Sequence, residues 1–420
     1  MNLFLYSLLL YLALPFVPLR LLWRGIKQPA YRQHWGERFG FYPASTTKPI
    51  IWLHCVSVGE TRAAEPLVKA LQTNYPQYQI LITNTTPTGR EASVALFGDS
   101  IKRVYLPYDV PFAVNNFLKH FKPKIGLIME TELWFNLIAA CKQREIPLLL
   151  LNARLSEKSA SGYAKISKLA SAGLQNLSAI AAQTEEDAAR LRALGAQNLS
   201  VAGNLKFDVK PPADSVDKGL QLRKQLGNKP IFLAASTRDG EEELILDAVR
   251  DLDLLTIIVP RHPQRFEAVA AILEKRNIAF QRKSLLKNDA LQPNIHAASG
   301  VVILGDTMGE MPIYYAACDF AFIGGSLLNH GGQNLIEAAA MGKPILIGEH
   351  TFNFAKATEN AVEAGAAIRV KDTAELRDNI QYLLENATRR LKMSQAALRF
   401  NEVSAGATAR LMKLIAQYLH

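Results

Sequence analysis

Cysteine is scarce: Cys55, Cys141 and Cys318 are the only three in 420 residues, and they lie far apart in apolar contexts. That spacing excludes a zinc-ligand cluster and a disulfide scaffold, and the odd count fits a reducing compartment. Low-complexity tracts are missing, and with 49% hydrophobic and 20% charged residues the chain has ample material for two cores and is not disordered. No basic stripe interleaved with aromatics is present, so nucleic acid is not the expected partner. Acids are the minority charge, 38 against 48 basic residues, and the excess is uneven. Residues 1–40 hold five basic side chains (Arg20, Arg24, Lys27, Arg32, Arg38) and one acid (Glu37), a local net charge of 5 − 1 = +4.

Met1 to Leu19 has no charged residue at all, and the apolar character runs on through Leu21, Leu22 and Trp23. That is about the length that crosses a bilayer. Pro15 and Pro18 are expected to bend its second half. Basic residues follow the run, no small-residue cleavage site does, and the positive-inside rule then puts the body on the cytoplasmic side. Residues 1–23 are therefore expected to be an N-terminal membrane anchor, spanning the membrane or lying in it. A collar of Trp23, Arg24, Tyr31, Arg32, Trp35 and Arg38 suits anionic lipid head groups. The competing expectation is an apolar helix packed on the globular part.

From Pro49 onward, short continuous apolar runs alternate with amphipathic stretches: Ile50–Val56, Ile80–Thr83, Ile125–Met129, Leu148–Asn152, Ala179–Ala182 and Leu199–Ala202. Such runs are strands of a parallel sheet covered on both faces. The segment 208–217, DVKPPADSVD, breaks the pattern as a linker. The alternation restarts at Ile231–Ala235, Leu255–Val259, Val301–Leu304, Phe320–Ile323, Pro344–Ile347 and Ala366–Val370. Two doubly wound α/β domains are expected, 24–207 and 218–420, facing a cleft, with the last helix, Thr408–Tyr418, a candidate to pack on the first. Ligands of such sheets bind at the carboxyl ends of the strands.

The richest stretch is Gly324 to Gly348, GGSLLNHGGQNLIEAAAMGKPILIG. A strand runs into paired glycines, then into a helix expected from about Gln333 to Gly342. Asn334 and Glu337, three apart, share a face of that helix. Loop, helix start and acid together fit a nucleotide, with the helix N-terminus receiving phosphate and Glu337 a ribose. A capped helix with a solvated acid fits the same residues. Arg261 and His262 leave one strand and Asp306-Thr307-Met308-Gly309-Glu310 another; Ala235-Ser236-Thr237-Arg238 leaves a third. In the first domain, HCVSVGE places Glu60 at a strand exit, as general base for a hydroxyl or as a capping acid. METELW places Glu130 and Glu132 at another exit, one acid expected to cap the helix at Leu133. Lys206 follows the last strand as a cation for the domain junction. Metal is not expected: Asp251 and Asp253 have a suitable spacing but precede a strand, and Glu241, Glu242 and Glu243 read as first-turn acids.

HCVSVGE at 54–60, TPTG at 86–89, YLPYD at 105–109, METELW at 129–134, NARLSEKSASGYAK at 152–165, LKFD at 205–208, PRHPQRF at 260–266, GDTMGEM at 305–311 and GGSLLNHGGQN at 324–334 resemble the Kdo transferases of Gram-negative bacteria. The resemblance runs in order along nearly the whole chain. It implies a GT-B fold and metal-independent, inverting transfer of 3-deoxy-D-manno-oct-2-ulosonic acid (Kdo) from CMP-Kdo to the lipid A precursor at the inner membrane, with no cofactor. It implies Glu60 as base, Glu130 and Lys206 as stabilisers of the transition state, and Arg261, His262, Met308, Gly309, Glu310, Asn334, Leu335, Ile336 and Glu337 as the CMP-binding residues. Departures from the family pattern fall at Gln333 and Arg238, both often His, at Phe135, often Pro, and at Glu349.

Overall fold

A computed structural model describes residues 1–42, 48–286 and 300–419. The chain forms two compact units, Met1–Val209 with Ala405–His420, and Lys210–Ser404.

The first unit is built on a seven-stranded sheet of β1 (Ile50–His54), β2 (Gln79–Asn84), β3 (Lys102–Tyr105), β4 (Ile125–Met129), β5 (Leu148–Ala153), β6 (Ala179–Ala182) and β7 (Leu199–Val201). Every pairing is parallel, in the order β3-β2-β1-β4-β5-β6-β7. Alternate residues feed two cores: Trp52, Ile128 and Leu150 on one face, Ile51, Leu53 and Leu149 on the other. Trp52 sets a neighbour's identity. A Cβ on Gly126 would lie 2.7 Å from the indole and 2.5 Å from Leu148, so the adjoining strand needs glycine there. Thr83 accepts the indole N–H at 2.8 Å, which satisfies the one polar atom Trp52 buries.

The second unit repeats the scheme with β8 (Ile231–Thr237), β9 (Leu255–Pro260), β10 (Phe280–Arg282), β11 (Val302–Leu304), β12 (Phe320–Ile323), β13 (Ile345–Ile347) and β14 (Ala367–Arg369). Its order is β10-β11-β9-β8-β12-β13-β14, again all parallel. Both sheets therefore reverse direction once. The crevices fall between β1 and β4 in the first unit and between β8 and β12 in the second, where ligands of open parallel sheets sit.

Local elements fill in this scheme. The stretch after Glu60 is two helices, Val58–Ala63 and Glu65–Asn74, because Pro66 begins a new one at its first turn. The helix expected at Gln333 starts at Ile336 and ends at Ala340, because positive-φ Gly331 and Gly332 and the Asn334 side chain hold the preceding residues in a loop. The C-terminal helix Ala407–Ile415 buries Leu411 and Ile415 in the first unit's core with Leu67 and Leu71. The N-terminal segment is a helix, Leu3–Ala13, a 3-10 turn, Leu14–Phe16, and a second helix, Val17–Lys27; Pro15 lies in the turn.

Candidate active site

In the first unit, β1 ends at His54 and the chain turns at Ser57 into the helix Val58–Ala63. Ser57 caps that helix by accepting the Glu60 N–H. The Glu60 carboxylate accepts the Val56 N–H at 2.8 Å and the Ser57 hydroxyl at 2.9 Å. It is 7% exposed. Burial, then the charge of Glu130, pushes its pKa up to about 7 despite those two bonds, which pull the other way. Two accepted hydrogen bonds fix the position of this carboxylate, and burial sets its basicity. His54 belongs to the same motif but is wholly buried against Thr83. Burial holds its pKa near 4, so it is neutral and structural.

Across the crevice, β4 runs into Glu130, whose φ of 60° turns the chain sharply. Lys206 Nζ lies 3.7 Å from the Glu130 carboxylate. That contact exists because the chain doubles back after β7. Buried Asn152, at the end of β5, accepts the Leu205 N–H at 3.0 Å, and Asn204 accepts that of Lys206 at 3.0 Å. Asp208 then ties the turn to the C-terminal helix through the N–H groups of Gly406 and Thr408, at 2.6 and 2.5 Å. The expectation that an acid of METELW caps the next helix fails. Its N-terminus is taken by Asp109 from the exit of β3, which accepts the Asn136 and Leu137 N–H groups at 3.0 and 2.8 Å. Glu132 stays beside the Glu130 charge, and burial followed by that charge raises its pKa.

In the second unit the exits of β8, β9 and β12 are laced together. Arg238 lies 3.2 Å from His262, and Arg261 donates to Gln333 at 3.2 Å. Partial burial and then the Arg238 and Arg261 charges lower the His262 pKa, which keeps the ring neutral among cations. The glycine loop has a structural job. A Cβ on Gly324 would come within 2.5 Å of the Ser236 carbonyl, so Gly324 permits β8 and β12 to leave the sheet side by side. The amides of Gly325 and Leu327, with that of Arg238, all donate to buried Glu241, at 2.5, 3.0 and 2.9 Å. Those amides are occupied by the chain's own carboxylate.

Asn334 and Glu337 do share a face: the Asn334 amide donates to Glu337 at 3.0 Å, and its carbonyl oxygen accepts the Ile336 N–H at 3.1 Å. Leu335 and Ile336 bury their side chains in the core, so they can offer a ligand only backbone groups. At the exit of β11, Gly309 has φ +84° and Met308 is exposed. Glu310 accepts the hydroxyls of Thr307 and Tyr314. Among the described residues no three His, Cys, Asp or Glu side chains form a metal-holding group. Asp253 pairs with Lys229 at 2.8 Å, just before β9 and so at the amino end of the sheet. Sequence reasoning missed Asp109, Asn152 and Glu241 as residues that hold the site.

Two parallel seven-stranded sheets, each with one switch point, give the chain a GT-B-like α/β fold. The fold is shared with a glycosyltransferase from Rickettsia africae, 16% identical, with a TM-score of 0.60 over 89% of this chain and 98% of that one. Residues 33–209 match the family model for 3-deoxy-D-manno-octulosonic-acid transferase (kdotransferase), and residues 282–400 match that for group 1 glycosyl transferases. The 3-deoxy-D-manno-octulosonic acid transferase of Haemophilus influenzae is 39% identical over 99% of this chain and 98% of its own. That of Bordetella pertussis is 41% identical over 91% of each. The chain belongs to the 3-deoxy-D-manno-octulosonic acid transferase family.

Proposed function

We propose that this chain transfers Kdo from CMP-Kdo to a hydroxyl of the lipid A precursor, lipid IVA, in lipopolysaccharide biosynthesis, with inversion and without a metal or cofactor. The observation that carries the reading is Glu60, a carboxylate pinned by two hydrogen bonds and carrying a pKa of about 7. A general base works best with a pKa near the operating pH. As the acceptor oxygen attacks the sugar's anomeric carbon, its proton passes to Glu60 and the C–O bond to CMP breaks, leaving the phosphate with the electron pair. Attack opposite the leaving group inverts that carbon. Lys206, beside Glu130, and Arg261 supply the positive charge that a divalent ion supplies elsewhere. Asn334 and Glu337 hold the ribose, while Arg261, His262 and the Met308–Glu310 turn hold the cytidine and its phosphate.

The N-terminal segment, 25 apolar-rich residues with only 6% of its most apolar window buried, attaches the enzyme to the cytoplasmic face of the inner membrane, where its basic residues meet anionic head groups. A UDP-sugar enzyme on the same fold is the rival reading. Thermal shift with free nucleotides separates the two: CMP raises Tm and UDP does not. Protection by UDP alone would sink the Kdo reading. Glu60→Gln keeps the CMP shift and lowers kcat by about 100-fold or more, the contribution of a positioned base; turnover at the parent rate would remove Glu60 from that role.

A further inference from the structure

The segment Leu3–Lys27 is about 37 Å long at 1.5 Å per residue, enough to cross a bilayer. Its attachments argue for another placement. At its N-terminal end the Tyr6 hydroxyl donates to Asp109 at 2.9 Å, and the Ser7 hydroxyl to Asn136 at 2.7 Å. The Tyr6 ring packs edge-on against Phe135, with centroids 5.3 Å apart, and Tyr11 stacks on Phe112 in mid-segment. At its other end Leu21 and Gly25 are buried, and the Arg24 guanidinium sits 4.7 Å from the centre of the Tyr31 ring. Tyr31 in turn faces Arg38, which stacks on Tyr105 and bonds the Thr85 carbonyl. Both ends are therefore fastened to the same globular unit, around the exit of β3. A helix whose two ends sit on one folded body cannot have them on opposite sides of a membrane.

The face turned away from the body is a single stripe at helical spacing: Phe4, Leu8, Leu12, Phe16, Leu19 and Trp23, at 76, 44, 62, 68, 64 and 68% exposure. Exposed Arg20, Arg24 and Lys27 flank its C-terminal half, and no acid precedes Glu37. Resting on the membrane attachment proposed above, we infer that this segment lies flat in the cytoplasmic leaflet as an interfacial helix. Its N-terminus stays on the side of the body, and its partner is a bilayer surface carrying anionic head groups. The same contacts give the placement a use. Asp109 and Phe135 stand at the exits of β3 and of the Glu130–Trp134 loop, so the edge of the sheet that carries Glu60 and Glu130 is held where a lipid acceptor presents its head group.

The native cysteines are all buried, so an added one reports alone. In inner-membrane vesicles holding the full chain, exposed Asn2→Cys is expected to react with a membrane-impermeant maleimide when the cytoplasmic face is outward, and not when the periplasmic face is outward. The opposite pattern overturns the inference and leaves the attachment intact. A chain missing from the membrane fraction overturns both. A second measurement covers an N-terminus buried too deep to label: Ser7→Cys with Asn136→Cys is expected to close with a short thiol cross-linker in the membrane. Failure to close, in a chain that retains transferase activity, overturns the in-plane placement.

Discussion

The role proposed for Glu60 conflicts in energy with its contribution to stability. Its pKa of about 7 lies above that of an ordinary glutamate, so the folded state holds the proton more tightly than the unfolded state. This contribution to stability is complete below about pH 4.5 and is lost as pH rises through about 7. The transfer proposed above needs the deprotonated form and runs the other way, so kcat/KM is expected to rise through the same range. Glu60→Gln removes the titration. The variant's Tm relative to the parent is expected to be higher at pH 8 than at pH 5.5, and a constant difference would show that Glu60 does not titrate between those values. Conflict of this kind marks functional positions. The placing of Glu60 at a strand exit and the start of a helix was legible in the sequence because it rests on neighbouring residues. The raised pKa was not, because its main cause is burial and its second is Glu130, 70 positions further on.

At the scale of elements, strands that read as unbroken apolar runs were legible, since parallel strands covered on both faces must be apolar throughout. The two that escaped are β3, Lys-Arg-Val-Tyr, and β10, Phe-Gln-Arg. Each is the outermost strand of its sheet, where polar side chains reach solvent. The loops that carry candidate residues were legible as strand exits. The residues that hold those loops were not, because their bonds join distant parts of the chain: Asp109 to Asn136, Asn152 to Leu205, and Glu241 to Gly325. Glu241 read as a first-turn acid, and it does begin its helix, but it is buried and gathers three amides from two loops. Glu241→Gln retains one acceptor oxygen and turns an amide toward donors. It is expected to cost about 2–3 kcal/mol of stability and to weaken CMP binding tenfold or more by calorimetry. An unchanged CMP Kd would confine Glu241 to a structural role. Removing residues 1–22 strips Tyr6 from Asp109 and Ser7 from Asn136. The shortened chain is expected to leave the membrane in high salt and to melt at least about 3 °C lower. An unchanged Tm would mean that the helix contributes nothing to the fold.

Across the whole molecule, the uneven charge acquires a location. The basic excess of the first 40 residues surrounds an apolar segment that, among the described residues, is the one helix long and apolar enough to cross a membrane. The second unit carries the residues assigned to the nucleotide, and the first carries the candidate base and the attachment. The substrates proposed, a soluble activated sugar and a lipid-borne hydroxyl, fit that division, since one would arrive from solution and the other stay in the leaflet. The most direct measurement is mass spectrometry of the lipid after incubating membranes of the full chain, and of Glu60→Gln, with CMP-Kdo and lipid IVA and no added divalent ion. The account predicts Kdo-bearing lipid with the parent chain, undiminished by a chelator, and unmodified lipid with the variant. Unmodified lipid with the parent, or equal product with both chains, would contradict it.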